Sequence, residues 1–227
     1  MLVHVTADLA LRPTMLGDMA RGSASNPKMS LNEFTYKKGT EIYGEKEPAD
    51  YVYQVKTGSV RSYKLLSDGR RQIGAFHLVG DIFGLENCSE HRFTAEAIVD
   101  TTVLLVKRHS LELVAESDAR VARNLLSMTT NNLQHAEDHM LLLGRKTALE
   151  RVAAFLIEMD RRLTATAVIA LPMSRRDIAD YLGLTLETVS RALSRLHELG
   201  ILGFIGSNQR RIVLRDRHRL ASLDLQN

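Results

Sequence analysis

Residues 174–200 read SRRDIADYLGLTLETVSRALSRLHELG, and this stretch predicts two short helices joined by a tight turn. Ser174 suits the N-cap of the first helix, because its hydroxyl can accept a backbone N–H of the first turn. Gly183 can adopt a positive φ and end that helix. Thr185 would cap the second helix and Gly200 would end it. Apolar residues repeat along each helix with the helical period, at Ile178, Ala179 and Leu182 and then at Leu186, Val189, Leu193 and Leu196.

The outer face of the second helix carries side chains that can read base edges in a major groove. Arg191 can donate a bidentate pair of hydrogen bonds to guanine, and Glu187 can accept one from the amino group of cytosine. Ser190 can bond to either kind of edge, and Leu186 can contact a thymine methyl group. An ordinary helical hairpin with a solvated polar face has the same spacing, so that alternative stays open at this point.

A predicted β-hairpin and an uneven charge distribution indicate a nucleic-acid partner for this region. The hairpin pairs Ile201–Phe204 with Arg211–Leu214 across the turn 206–209, and such a basic wing suits contacts to phosphate. Residues 145–227 contain 14 Lys and Arg against nine Asp and Glu, whereas the rest of the chain contains 16 against 18. A basic C-terminal third on a near-neutral chain is typical of a protein that binds duplex DNA.

Composition and motif content favour a globular cytoplasmic protein that is not an enzyme. The 227 residues are 44% hydrophobic and 25% charged, which suits two small domains with their own cores. The sequence has no run near the roughly 18 apolar residues of a membrane span and no secretory signal pattern. The single Cys88 excludes an internal disulfide. Phosphate-binding glycine loops, HExxH motifs and nucleophile elbows are absent from the sequence, so we expect neither catalytic residues nor metal ligands.

The region before the helices is predicted to form an antiparallel β-roll. We divide the chain into an N-terminal arm (1–29), the β-roll (30–108), a long dimerisation helix (109–143) and a DNA-binding domain (144–227) that ends in a polar tail. Turn signals separate short strand-like runs within the β-roll. The strand candidates are Glu33–Tyr36, Glu41–Tyr43, Tyr51–Thr57, Ser59–Leu66, Arg71–His77, Ala95–Ala97 and Thr102–Lys107.

A heptad-like seam runs along residues 109–143. Apolar and small residues repeat there at alternating spacings of four and three, the pattern of a helix that pairs with another helix. The seam consists of Ala122, Leu126, Thr129, Leu133, Ala136, Met140 and Leu143. We expect the seam to face a second copy of the chain, and the flanking Leu125, Met128 and Leu141 to face the β-roll. Gly144 is a candidate hinge, and Thr147–Leu163 is predicted to be the next helix.

Three stretches resemble the Crp/Fnr family of bacterial transcription regulators. SRRDIADYLGLTLETVSRALSRLHELGIL is similar to the family's winged helix-turn-helix, and Glu187, Ser190 and Arg191 match its Glu-x-x-Ser-Arg base-reading set. TGSVRSYKLLSDGRRQIGAFHLVGDIFGLE is similar to its sensor domain, and LLLGRKTALERVAAFLIEMDRRL to its hinge and the first helix of its DNA-binding domain. The likeness covers about residues 30–214 and is strongest to the FixK-type branch. It implies an α+β fold with a cyclic-nucleotide-binding-like jelly roll, a dimerisation helix and a winged helix-turn-helix.

The resemblance raises the question of a bound effector. In this family, a cyclic-nucleotide pocket combines a Gly-Glu-[Leu/Ile] turn with an Arg-[Ser/Thr] pair whose guanidinium neutralises the cyclic phosphate. The matching stretches here are Gly84-Leu85-Glu86 and Arg92-Phe93-Thr94. They depart from that pattern, so we expect no nucleotide and no other cofactor. One cysteine cannot hold an iron–sulfur cluster, and haem would need an axial ligand such as His77, His91 or Cys88.

The resemblance implies a homodimeric activator whose partners are double-stranded DNA and RNA polymerase. Two recognition helices roughly 34–36 Å apart would enter successive major grooves of a palindrome such as TTGA-N6-TCAA. The regulated genes would serve low-oxygen respiration, nitrogen fixation or denitrification. A turn formed by Asp68, Gly69, Arg70 and Arg71 is a candidate polymerase contact. Phosphate contacts are expected from Arg175, Thr185, Thr188, Arg195, Gln209, Arg210 and Arg211.

Two other functions stay open at this stage. The first is a regulator of the same family whose DNA binding is gated by a cyclic nucleotide or by haem. The second is a signalling module whose β-roll regulates a partner enzyme without contacting DNA. The base-reading set argues against the second function, and the lack of a recognisable ligand set argues against the first.

Overall fold

A computed structural model describes residues 16–17, 30–145, 147–163, 168–206 and 209–224. These residues form an N-terminal β-roll, two consecutive helices and a C-terminal domain of helices with a small sheet, which confirms the predicted fold class. Nearly all of the predicted N-terminal arm lies outside the described residues, as do two residues of the predicted wing turn. Within the described residues, no helix is long and apolar enough to cross a membrane.

Eight antiparallel strands build the described part of the β-roll. One sheet has the strand order β1-β8-β3-β6 and the other has the order β2-β7-β4-β5. Seven of the strands match the predicted ones to within one residue at each end, and the two-residue β6 was not predicted. The strands are β1 (Asn32–Tyr36), β2 (Glu41–Tyr43), β3 (Tyr51–Thr57), β4 (Val60–Leu65), β5 (Arg71–His77), β6 (Ile82–Phe83), β7 (Thr94–Ala97) and β8 (Thr101–Lys107).

The turn between β3 and β4 requires a glycine. Gly58 has a φ of +85°, and a Cβ at this position would lie 2.5 Å from Oγ1 of Thr101 and 2.6 Å from the carbonyl oxygen of Asp100. The buried Thr101 hydroxyl also donates to the carbonyl oxygen of Ser59 at 3.0 Å. The start of β4 is therefore fixed to the start of β8, and β4 carries a charged side chain, Arg61, that reaches the C-terminal domain.

The predicted dimerisation helix is two helices rather than one. They are α1 (Arg108–Ser117) and α2 (Ala119–Arg145). Asp118 separates them because its backbone is extended, with φ −125° and ψ 100°. Its carboxylate accepts the backbone N–H of Arg120 at 2.9 Å, which satisfies a free donor in the first turn of α2. The candidate hinge Gly144 lies in the last turn of α2.

Helix α2 presents two apolar faces with different surroundings. Leu125 and Met128 pack against the core of the β-roll, as predicted. The prediction for Leu141 is wrong, because this side chain is 60% exposed and its neighbour Leu142 packs against the core of the C-terminal domain instead. The predicted seam lies on a neighbouring face and is largely uncovered in the single chain, with Ala122, Leu126, Thr129, Leu133, Ala136 and Met140 exposed and Leu143 half-buried.

The C-terminal domain packs four described helices around a three-stranded sheet of order β10-β11-β9. Its elements are α3 (Ala148–Leu163), β9 (Val168–Ala170), α4 (Arg175–Leu182), α5 (Leu186–Glu198), β10 (Leu202–Ile205), β11 (Arg211–Leu214) and α6 (Arg217–Asp224). The predicted polar tail is wrong for α6. Leu220 is fully buried in the domain core, and Arg217 pairs with Asp160 of α3 at 2.7 Å.

The β-roll and the C-terminal domain share one apolar core. Ile73 and Phe76 of β5 belong to the same buried cluster as Phe155 of α3 and Tyr181 of α4. The Phe76 ring lies 5.1 Å from the Tyr181 ring and 6.3 Å from the Phe155 ring, centre to centre. Removing this surface from water stabilises the contact between the two domains.

Candidate DNA-binding surface

The helix-turn-helix is formed by α4 and α5, and its local signals are those that the sequence predicts. Ser174 and Asp177 form a capping box at the start of α4, since each side chain accepts the other's backbone N–H. Gly183 ends α4 in the left-handed region, with φ 61° and ψ 38°. The Thr185 hydroxyl accepts the backbone N–H of Thr188 at 3.1 Å and so caps α5. These short-range bonds set the angle at which α5 leaves the turn.

The four candidate base-reading residues lie on the outer side of α5. Glu187 and Arg191 are exposed, while Leu186 and Ser190 are half-buried beside them. The opposite face of the helix is fixed in the domain core by Val189, Ala192, Leu193 and Leu196. This arrangement presents a carboxylate, a hydroxyl and a guanidinium together on one side of a rigid helix.

The charge of Glu187 is favoured by its position in the first turn of α5. Its own backbone N–H and the Thr185 hydroxyl, with smaller contributions from Arg176 and Arg191, hold the pKa of this carboxyl below its usual range. A carboxylate that stays ionised at neutral pH can act only as an acceptor, which suits a donor such as the amino group of cytosine.

Arg175 links the helix-turn-helix to the wing. Its guanidinium lies 3.3 Å from the Ser190 hydroxyl, donates to the side-chain oxygen of Gln209, and lies over the Phe204 ring at 5.8 Å. Two of the predicted phosphate contacts, Arg175 and Gln209, therefore bind each other in the free protein. DNA would have to take over these hydrogen bonds.

The remaining predicted phosphate contacts border the recognition helix on two sides. Arg210 and Arg211 are exposed at the end of the wing that leads into β11. Arg195 is exposed on the second half of α5 and pairs with Glu198 at 3.3 Å. The hydroxyls of Thr185 and Thr188 lie 3.0 Å apart at the start of α5.

Arg176 is a residue of this surface that the sequence analysis did not select. It is exposed on α4, and its charge contributes to the lowered pKa of Glu187. The doublet Arg175-Arg176 was the available signal. The sequence does not reveal which of two adjacent arginines in the first turn of a helix faces the ligand, because that depends on where the neighbouring domain lies.

The turn between β4 and β5 does not present all four of its predicted polymerase contacts. Asp68 and Arg70 form an exposed ion pair at 2.7 Å around Gly69. Arg71 points the other way, because its guanidinium binds Asp177 and Asp180 of α4. The prediction that Arg71 protrudes with the turn therefore needs correction, and the tip consists of Asp68, Gly69 and Arg70.

A cavity of about 530 Å³ lies between the β-roll and α2. Both guanidinium groups in its lining are already bound by carboxylates: Arg92 by Glu86 at 3.2 Å, and Arg162 by Glu158 at 2.7 Å and also by Asp81. A cyclic phosphate needs a cation that is not neutralised in this way. Among the described residues that line the cavity, neither guanidinium is therefore free of a carboxylate partner.

Of the three candidate haem ligands, only His77 lines this cavity. His77 lines the cavity and its Nε2 lies 2.8 Å from the Ser62 hydroxyl; desolvation, with the charges of Arg162 and His135, lowers the pKa of this imidazole to about 3. His91 is buried and stacks on the Tyr43 ring at 3.5 Å. Cys88 is exposed. In the described part of the chain, no group of three or more His, Cys, Asp or Glu side chains is arranged to hold a metal ion.

A β-roll of this type followed by a winged helix-turn-helix defines a transcription regulator that binds DNA, not an enzyme. Family models agree, since a cyclic nucleotide-binding domain matches residues 33–118 and a Crp-like helix-turn-helix domain matches residues 150–223. The chain belongs to the Crp/Fnr family, in its FixK-type branch.

Individual relatives support this assignment over most of the chain. The nitrogen fixation regulation protein FixK of Azorhizobium caulinodans is 44% identical over 91% of this chain and 88% of its own length. FixK of Rhizobium meliloti is 46% identical over 74% of this chain and 76% of its own length. The solved structure of FixK2 from Bradyrhizobium japonicum is 70% identical, with a TM-score of 0.83 over 86% of this chain and 98% of that one.

Proposed function

We propose that this regulator is a homodimeric activator that reads a TTGA-N6-TCAA-like palindrome without a bound effector. The observation that carries the proposal is the exposed face of α5, which holds Glu187, Ser190 and Arg191 side by side. Arg191 would donate to the guanine of each half-site and Glu187 would accept from its paired cytosine. Ser190 and Leu186 would contact the thymines.

Homodimer formation is supported by the exposed seam of α2. Leu126, Leu133 and Met140 are 68%, 58% and 65% exposed in the single chain. Side chains of this size gain about 1.5–3 kcal/mol each when they are fully buried, and their heptad spacing matches a second copy of the same helix. The dimer would place two copies of α5 one DNA turn apart.

The basic and polar side chains around α5 would hold the protein on the DNA backbone. We propose phosphate contacts from Arg175, Thr185, Thr188, Arg195, Gln209, Arg210 and Arg211, which surround the base-reading set in the helix-turn-helix and the wing. Such contacts fix the register of the protein without reading sequence.

Activity without an effector is supported by the charges in the β-roll cavity. Arg92 and Arg162 are both paired with carboxylates of the same chain, so a cyclic phosphate would have to displace a carboxylate from either guanidinium among the described residues of the cavity. We therefore propose that the amount of protein in the cytoplasm, rather than a ligand, sets DNA occupancy. The FixK relatives are named nitrogen fixation regulation proteins, and these names support nitrogen-fixation genes as targets.

We propose RNA polymerase as a second partner, contacted through the tip of the β4–β5 turn. Asp68 and Arg70 are exposed there and pair only with each other among the described ion pairs. Replacing both residues by Ala should lower activated transcription in a reconstituted assay while the affinity for promoter DNA stays within about twofold. A matched loss of transcription and DNA affinity would exclude the tip as a polymerase contact.

Fluorescence anisotropy of the purified protein tests the main proposal. The protein, with no added ligand, is titrated onto a labelled TTGA-N6-TCAA duplex and onto a scrambled duplex in the same buffer and salt. We expect the palindrome to bind about 10³-fold or more tightly than the scrambled duplex. Weak and equal binding that recovers when a cyclic nucleotide or haem is added would replace this proposal by the ligand-gated one.

A further inference from the structure

A cluster of buried charges joins the β-roll to the helix-turn-helix. Arg61 of β4 and Arg71, the first residue of β5, both donate to Oδ1 of Asp177, at 2.7 and 2.6 Å. Arg71 also donates to Oδ2 of Asp180 through Nε and Nη2, at 2.9 and 2.7 Å. The second terminal nitrogen of Arg61 donates to Glu96 of β7 at 2.6 Å. Two strands of the β-roll, β4 and β5, thus contact one helix of the DNA-binding domain, and β7 holds Arg61 in place through Glu96.

These charges are well removed from water. The side chain of Asp177 is 5% exposed, and those of Arg61 and Arg71 are 15% and 21% exposed. Burial would raise the pKa of Asp177, but hydrogen bonds from Ser174 and the charges of the two arginines outweigh it and hold that pKa below its usual range. The carboxylate is therefore ionised at neutral pH, and the cluster is intact there.

The geometry of the cluster restricts how the two domains can lie against each other. The apolar contact around Phe76 favours any arrangement that buries similar area, because the hydrophobic effect has no direction. The guanidinium of Arg71 holds its partners in a planar fork, which fixes orientation as well as distance. Buried ion pairs add little net stability compared with apolar contacts, but misalignment leaves a buried charge unpaired at high cost.

We propose that Arg61 and Arg71 are positioning residues for DNA recognition, which hold the DNA-binding domain at one angle to α2 and so set the spacing of the two recognition helices. This inference rests on the proposed dimeric DNA-binding function. Helix α4 is also held near its C-terminal end, where His139 of α2 stacks on Tyr181 at 4.1 Å and its Nε2 lies 2.9 Å from the Tyr181 carbonyl oxygen. The ion cluster from the β-roll and His139 from α2 thus both hold α4 in place.

The spacer length that the protein prefers between the two half-sites depends on this angle. One added base pair moves a half-site by roughly 3.4 Å and turns it by roughly 35°, since a DNA turn of 10–10.5 pairs spans roughly 34–36 Å. A rigidly held pair of recognition helices should reject spacers of five and seven base pairs. A loosened pair should tolerate them, because each domain can then follow its half-site.

The test is a comparison of spacers with the full-length protein. Anisotropy is measured on TTGA-N5-TCAA, TTGA-N6-TCAA and TTGA-N7-TCAA duplexes and on a duplex with one half-site. For Arg61→Gln/Arg71→Gln we expect the preference for the six-base-pair spacer to fall about tenfold, within the range for residues that couple two parts of a protein. Binding to the single half-site should change less than about twofold. Lys37→Gln/Lys56→Gln removes two charges from exposed ion pairs of the same β-roll and should keep the preference.

Asp180→Asn separates positioning from simple electrostatics. This change makes the domain more positive, so electrostatics alone predicts tighter binding to every duplex with an unchanged spacer preference. If the cluster positions the DNA-binding domain, Asp180→Asn should weaken the preference for the six-base-pair spacer, as Arg61→Gln/Arg71→Gln should. The inference is overturned if either variant keeps the wild-type preference, or if the arginine variant loses single-half-site binding to the same extent. If the wild type binds the palindrome no better than scrambled DNA, the proposed function fails instead.

Discussion

Replacing Arg191 by Ala should weaken binding to the TTGA-N6-TCAA palindrome by about 2–6 kcal/mol, or roughly 30-fold to more than 10⁴-fold. A bidentate contact between arginine and guanine is worth about 1–3 kcal/mol, and the palindrome contains two of them. Arg191 is exposed on α5 and does not belong to the domain core, so the fold should not change. Anisotropy titrations of wild type and variant on matched and guanine-substituted duplexes measure the effect.

The matched control for this change is Arg210→Ala. Arg210 is exposed in the wing and does not belong to the base-reading set, so its removal should weaken binding to all duplexes alike. The slope of log K against log salt should flatten by about 0.9 for each lost phosphate contact. Arg191→Ala should instead lose its preference at the guanine position while random DNA binds nearly as before. If Arg191→Ala loses the same affinity for specific and for random DNA, Arg191 does not belong to the base-reading set.

The helix-turn-helix could be predicted from sequence because its signals are local. The cap at Ser174, the left-handed glycine at 183 and the cap at Thr185 act over three or four residues. Most strands of the β-roll could be predicted for the same reason, since turn residues separate them. The heptad spacing in α2 was equally visible along the chain, and the exposed stripe follows from it.

Features that depend on distant partners could not be predicted. Asp177 forms a local capping box with Ser174 in the structure, but its second role depends on Arg61, which is 116 residues away. Arg71 was assigned to a protruding turn because it follows Asp68, Gly69 and Arg70 in sequence, whereas the carboxylates that bind it lie 106 and 109 residues away. The burial of Leu220 likewise depends on the surface of α3. In each case the residue type was clear from sequence, but the residues that it contacts could be identified only from the folded structure.

Replacing Leu133 by Glu should abolish the dimer and, with it, tight binding to the palindrome. Leu133 lies at the middle of the seam and is 58% exposed in the single chain, so the change leaves the fold of each chain intact. In a parallel pair of helices the two substituted positions face each other, and two carboxylates there would lose apolar contact and repel. Sedimentation velocity should then show a monomer at concentrations at which we expect the wild type to be a dimer.

The affinity that Leu133→Glu loses for the palindrome should be larger than the loss expected from removing a single base contact. Two linked half-site contacts gain about 10²–10⁴-fold from effective concentration, and a monomer forfeits that gain while keeping its single-half-site affinity. Gln134→Glu is the control, because it adds the same charge at an exposed neighbouring position outside the seam. Mixing Leu133→Glu with Leu133→Lys should restore a dimer, since the two charges then attract. A Leu133→Glu protein that still sediments as a dimer would place the interface elsewhere on the chain.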